Sequence, residues 1–217
     1  MSFSFTVSAS ALRDLRPFAS TEESRPVLNG ILIEQTGAMC ATSGHVMLAR
    51  APEHLDAMRP PARDVIVRLS KAVPKWAEVA EISDVPDMPP VSGSDAPLMV
   101  KVSNAKGKVE YITAVEVAGP FPIWRNVMPR YASATAPLPP VDPKLLERFA
   151  VEGCQAVRFF ADANSPATRA VRVAFEGRSE YVGILMPTRS KEWDAETVPP
   201  LPSFTDIPPA PAVSEAA

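Results

Sequence analysis

Cysteine, glycine and long apolar runs are all scarce in this chain, and each scarcity removes a class of explanation. The two cysteines, Cys40 and Cys154, lie far apart, with no C-x-x-C spacing and no histidine beside them. That pattern excludes a disulfide scaffold and a zinc knuckle and reads as buried thiols in a reducing compartment. Nine glycines are too few for a flexible Gly-rich chain. No apolar stretch approaches the length of a membrane span, and residues 1–10 lack the basic region and apolar core of a secretory leader. The expectation is a soluble, cytoplasmic protein without a membrane partner. A phosphate loop, a Gly-rich cofactor turn and metal-ligand spacing are missing too, so neither cofactor nor metal is expected. Ser43 and His45 stand too close in sequence to argue for a nucleophile and its base, and no third residue joins them. His54 sits among charged residues in a connector and reads as exposed. Catalysis is not expected.

Proline, by contrast, is abundant: 25 residues mark stiff connections and an extended tail. The net charge is only -3, so any grip on nucleic acid has to come from cations gathered on one face. Phe3, Phe5 and Val7 alternate with polar residues as a first strand, and Ser8 or Ser10 can cap a helix carrying Ala11, Leu12 and Leu15. Residues 27–34 and 39–42 read as a hairpin turning at Gly37, after which Thr42-Ser43-Gly44-His45 expose the backbone beside Val46, Met47 and Leu48. Val65 and Val67 open a further strand. The spacing of Val73, Trp76, Ala77, Val79 and Ala80 predicts a helix within residues 70–81, with Pro74 in its first turn. Three short strands are predicted at 98–102, 108–112 and 114–117, the first two joined by a turn at 104–107. Residues 119–130 are apolar yet too rich in proline for either pattern, so something must bury them. Asp142-Pro143 starts a helix with Leu145, Leu146 and Phe149 as its inward stripe, and strands at 155–160, 168–175 and 180–185 complete the ordered chain. Residues 190–217 have no usable periodicity and read as a disordered Pro-rich tail.

These groups form a weak internal repeat: strand, cap residue, short helix, hairpin, beginning near Phe5, Val65 and Val141. Units too small to bury a helix alone imply packing across a shared sheet, an α+β fold with helices on one face of antiparallel sheets. Three landmarks then carry a family resemblance. They are Leu28-Asn29-Gly30 followed by Ala41-Thr42-x-Gly44-His45; Phe121-Pro122-x-Trp124-Arg125-x-Val127-Met128-Pro129; and Met186-Pro187-Thr188-Arg189. In this order they resemble the bacterial DNA polymerase III β subunit, the replication sliding clamp, and imply the DNA clamp fold of repeated strand-helix-hairpin half-domains. On that resemblance, residues 1–130 correspond to a middle domain of two half-units and 131–189 to half of a C-terminal domain. The parts through which family members close a dimeric ring have no counterpart.

The resemblance implies a non-catalytic processivity factor whose apolar pocket accepts short linear motifs of DNA polymerase, clamp loader or repair proteins. Its implied lining is Leu28, Thr42, Gly44, His45, Pro122, Val127, Ile184, Leu185, Met186, Pro187 and Arg189, with Val46 or Met47 joining it. Ser43 and Val46 depart from the family's Asp and basic residue. The bland reading, core residues of two abutting domains, stands beside the pocket for Leu28 and Ile184. Candidate contacts to double-stranded DNA, made to phosphates without reading sequence, are Arg13 with Arg16, Lys71 with Lys75, and Lys144 with Arg148, each pair spaced to share a helix face, and Arg25. Solvated helix faces are the competing account. A homo-oligomer assembled from several copies and a non-ring decoy that only captures clamp-binding motifs are the two functional alternatives.

Overall fold

The computed structural model describes residues 3–52, 58–85, 95–129, 132–133, 138–162 and 170–188. His54, Arg189 and the 190–217 tail lie outside the described residues. The strands are β1 (Ser4–Ser8), β2 (Ile31–Ile33), β3 (Met39–Thr42), β4 (Val46–Arg50), β5 (Val65–Leu69), β6 (Val79–Asp84), β7 (Ala96–Ser103), β8 (Val109–Glu116), β9 (Ala132–Ser133), β10 (Val157–Asp162), β11 (Val171–Phe175) and β12 (Tyr181–Leu185). The described residues join them into one 12-stranded sheet in the order β1-β6-β7-β8-β5-β2-β3-β4-β12-β11-β10-β9. Neighbours run antiparallel throughout.

The central strands are buried on both faces, and strand alternation divides their side chains between two cores. Ile31 and Ile33, Met39 and Ala41, Val46 and Leu48, Val65 and Val67, and Leu185 point to the larger core. Helix α1 (Ala9–Leu15) covers that face with Ala9, Ala11, Leu12 and Leu15. Its N-cap Ser8 makes no side-chain cap bond; the Ser8 and Ser10 hydroxyls instead bond to each other at 2.8 Å. Pro17 turns the chain into a 3-10 segment, Arg16–Phe18, that drives Phe18 inward. The short helix α2 (Pro143–Leu146) begins where Asp142 accepts from the Lys144 amide, and continues as the 3-10 turn Glu147–Phe149. Phe149 meets Phe18 edge to face at 5.2 Å, while Leu146, expected on the inward stripe, is exposed.

A buried polar junction locks α1 to the last hairpin. Asp14, with a side chain 4% exposed, accepts from the Tyr181 hydroxyl at 2.8 Å and the Glu152 amide at 3.1 Å, and the Arg178 guanidinium stands 3.5 Å away. Burial and the neighbouring carboxylate push the Tyr181 phenol well above its usual range, so it stays a donor.

Several expectations need correction. Residues 70–78 bend and turn, and the chain then enters β6, so the second unit has no helix. Val79–Asp84 sits between β1 and β7 and buries Ala80 and Ile82 at period two; pairing on both edges overrides a spacing that also fitted a helix. The three strands predicted over 98–117 are two, since Thr113 continues β8 across from Met99. The turn between them is as predicted, with Asn104 Oδ1 accepting from the Lys106 and Lys108 amides. The first hairpin strand is only Ile31–Ile33, because Pro26–Leu28 forms a 3-10 turn. Cys40 is buried and Cys154 half-buried, both free.

Candidate functional site

The smaller core lies on the sheet face away from α1. Leu32, Cys40, Met47, Ala49, Ile66 and Ile184 form its floor, and Phe121, Trp124, Met128 and Met186 pack on it part-buried. The floor exists because β4 and β12 pair in the register Met47 with Ile184 and Val46 with Leu185. That register brings the chain's early and late landmarks side by side. The Met186 amide then donates to the His45 carbonyl at 2.9 Å, continuing the ladder past the end of β12, and the Thr188 amide is fixed to Pro140 at 2.8 Å.

Residues 42–46 make a tight turn at the edge of this face. Thr42 Oγ1 donates to the Val46 carbonyl at 2.9 Å and accepts from the Gly44 amide at 3.0 Å, while the Ser43 amide donates to Val46 at 3.1 Å. Gly44 has φ +88, a conformation that side chains with a Cβ rarely adopt, so the turn depends on glycine there. Gly44 and His45 are exposed, Thr42 half-buried.

Residues 121–128 cross the apolar floor as a strap, containing the 3-10 turn Trp124–Val127. One carboxylate holds it. Glu34 accepts from Arg125 Nη1 at 2.6 Å and Nη2 at 2.8 Å, from the Trp124 indole at 3.0 Å, and from the Thr36 hydroxyl at 3.0 Å. The Arg125 guanidinium also stacks over the Trp124 ring, 4.1 Å from its centroid. The hydrogen-bonded Arg125 charge keeps the Glu34 carboxyl below its usual range despite burial, and Glu34 in turn raises Arg125. Desolvation pushes the Cys40 thiol up, leaving it an inert core group rather than a nucleophile. Beneath the strap opens a cavity of about 490 Å³ bordered by Leu32, Glu34, Ile66, Val117, Phe121 and Trp124.

Among the sequence-predicted pocket residues, Met47, Ile184 and Met186 share the apolar face with the strap, and Thr42, Gly44 and His45 form the adjoining turn. Pro187 is half-buried next to them, and Pro122 and Val127 are exposed on the strap, with Pro122 also bordering the cavity. Val46 and Leu185 do not face this side: each is one residue out of phase with Met47 and Ile184 and is buried in the larger core. Leu28 is buried in its 3-10 turn, accepting from the Ser20 amide at 2.8 Å. Phe121, Trp124, Arg125 and Met128, named in the second landmark but not in the implied lining, pack at this face, and Glu34 is the residue that sequence reasoning missed. An acid directly after the apolar run Ile31–Ile33 and a Trp-Arg pair inside a proline-rich stretch were the available signals.

The predicted DNA contacts separate in a similar way. Arg13 is turned inward, donating to the Pro74 and Ala77 carbonyls at 2.9 Å and pairing with Glu152 at 3.0 Å. Lys71 pairs with Glu110 at 2.7 Å, and neither it nor Lys75 lies on a helix. Arg16, Arg25, Lys75 and Lys144 are exposed, and Arg148 is half-buried. Among the described residues no cluster of His, Cys, Asp or Glu could hold a metal, and no helix is long and apolar enough to cross a membrane.

No family model and no curated protein matches the sequence. Solved structures do. The DNA polymerase sliding clamp from Pseudomonas aeruginosa, determined with a ligand, superposes with a TM-score of 0.55 at 18% identity, covering 87% of this chain and 66% of that one. The fold is that of the bacterial sliding clamp. The clamp from Bartonella birtlesii bound to griselimycin agrees with a TM-score of 0.56 at 17% identity, over 87% of this chain and 66% of its own. That from Bacillus subtilis gives 0.57 at 15% identity, over 86% and 64%. The chain thus spans slightly less than two thirds of the length of these sliding clamps.

Proposed function

We propose that this chain is a clamp-like, non-catalytic accessory protein of DNA replication that tethers polymerase, clamp-loader or repair proteins through short linear segments. The segment docks between the 42–46 turn, the 121–128 strap and the end of β12, its Leu or Phe side chains on the apolar face and its backbone against the exposed turn. On this reading residues 1–130 act as a middle-domain-like pair of half-units and 131–189 as half of a last domain, several copies assembling around double-stranded DNA. Arg16, Arg25, Lys75 and Lys144, exposed and without an ion-pair partner among the described residues, are the cations left for phosphates.

The observation that carries the proposal is the β4–β12 register, which sets Met47, Ile184 and Met186 under the same strap as Trp124 and Met128, beside an exposed Gly44-His45 turn. An apolar face edged by an exposed turn and a half-exposed strap suits a peptide whose anchors are apolar. The test is fluorescence anisotropy of a labelled peptide ending in Leu-Phe. Met186→Ala and Pro122→Ala together should weaken it about tenfold or more, the scale of lost apolar anchoring contacts. An unchanged affinity in a folded double variant sinks the proposal. The DNA half is tested by the mass in solution with and without primed circular DNA; a monomer under both conditions would exclude an encircling assembly.

A further inference from the structure

The described chain ends on the rim of the smaller core. Met186 packs on that core with its amide bonded to the His45 carbonyl at 2.9 Å, and the Thr188 amide is pinned to Pro140 at 2.8 Å. Residues 189–217 therefore leave from the edge of the apolar face itself. They lie outside the described residues, and their sequence carries a pattern that neither a helix nor a strand would use. Val198, Leu201, Phe204 and Ile207 recur at every third position, with proline at 199, 200, 202, 208 and 209. Three residues per turn is the period of polyproline II, which would put all four side chains along one edge. The prolines favour the same backbone. Each fixes its own φ and disfavours the helical region for the residue before it, which covers Val198, Leu201 and Ile207. The acids Glu192, Asp194 and Glu196 stand between the exit and this stripe.

The face has features to match. Its apolar floor runs across β12, β4, β3, β2 and β5, from Ile184 to Ile66, four strand spacings or about 19 Å. The strap above it leaves Ile123 73% and Val127 47% exposed, beside exposed Pro122 and half-buried Trp124, the kind of apolar and aromatic surface on which proline-rich segments dock. At the 42–46 turn the Arg25 guanidinium lies against Gly44, without an ion-pair partner among the described residues. Leu201 is thirteen residues beyond Thr188, a tether of at most about 43–47 Å. That is enough to cross the whole floor and short enough to hold the stripe at about millimolar effective concentration. We propose that residues 198–207 are a built-in occupant of the peptide face. Leu201 and Phe204 lie over the apolar face beside Trp124, Val127 and Met186, the acidic run faces Arg25, and a partner's segment has to displace them. The inference rests on the peptide-binding reading of this face and adds its regulation. An occupant of about 100 µM affinity at that effective concentration covers the face about ten parts to one, which weakens a partner's segment about tenfold.

The test compares the full chain with a full-length double variant, Leu201→Ser with Phe204→Ser, by anisotropy of the labelled Leu-Phe peptide and by the methyl resonances of Met47, Met128 and Met186. The double variant should bind the peptide about tenfold more tightly, the gain expected when a tethered competitor is removed. The Met186 methyl resonance should differ between the two proteins, and by the same amount at every protein concentration. A peptide bound equally by both proteins overturns the tail proposal and leaves the peptide face standing, and methyl resonances that coincide overturn it likewise. A difference that appears only as concentration rises identifies a neighbouring copy's tail and overturns the contact within one chain. A peptide bound by neither protein overturns the peptide-face reading, and the tail proposal with it.

Discussion

Replacing Glu34 by glutamine removes one charge and one acceptor oxygen from the point where the strap is held, while keeping the shape of the side chain. The carboxylate side chain is 10% exposed and the Arg125 side chain 55% exposed, so the ion pair is half in water. Its own share is therefore about 1 kcal/mol, at the upper end for a solvent-screened pair. The Trp124 indole loses a charged acceptor, which adds about 1 kcal/mol. The variant should be less stable by about 2 kcal/mol, roughly thirtyfold in the folding equilibrium, measured by urea denaturation at pH 7. Acid supplies the second arm. Because the folded-state pKa of Glu34 lies below its unfolded value, its contribution is complete above the unfolded value and fades as pH falls through the folded one. Wild-type and Glu34→Gln stabilities should therefore converge at low pH. A double-mutant cycle with Arg125→Met should show a coupling of about 1 kcal/mol. Additive effects, or curves that stay parallel down the acid limb, would refute the assignment of Glu34 as the anchor.

Other perturbations follow from the same contacts. Asp14→Ala leaves the Tyr181 hydroxyl and the Glu152 amide without their acceptor and should cost about 3 kcal/mol, with Tyr181→Phe adding little on top; thermal unfolding of the three variants measures this. A Cβ at Gly183 would stand 2.6 Å from the Phe149 ring, so Gly183→Ala should destabilise by about 1–3 kcal/mol and be partly rescued by Phe149→Leu. Lys71→Gln breaks an exposed pair with Glu110 and should change stability by no more than about 0.5 kcal/mol; a larger shift in the urea midpoint would show that the pair is more than a surface contact.

Much of the fold could be read from the sequence because its local signals agreed with its tertiary placement. Phe5 and Val7, Val65 and Val67, and the Asn104 turn each carry one pattern and adopt it. Residues 70–81 failed because Val73, Ala77 and Ala80 satisfy a helical spacing while Ala80 and Ile82 also satisfy an alternating one, and only the partners β1 and β7 decide between them. At the candidate site, the landmark segments do lie side by side, but the sequence does not give the facing of their residues. Val46 and Met47 differ by one position and lie in different cores, and no local signal says which of two apolar neighbours is on which side once a strand is buried on both. Glu34 escaped notice because its role is defined by residues 90 and 91 positions away.

The alternation along β4 and β12 also limits how such a protein can diversify. Met47 and Ile184 can be exchanged for other apolar residues while Val46 and Leu185 keep the larger core intact, because the two sets share a backbone and no side-chain environment. A single inserted or deleted residue in either strand would swap the two sets wholesale. Either core can thus be repacked without re-threading the sheet, and changes of chain length are tolerated only in the connectors.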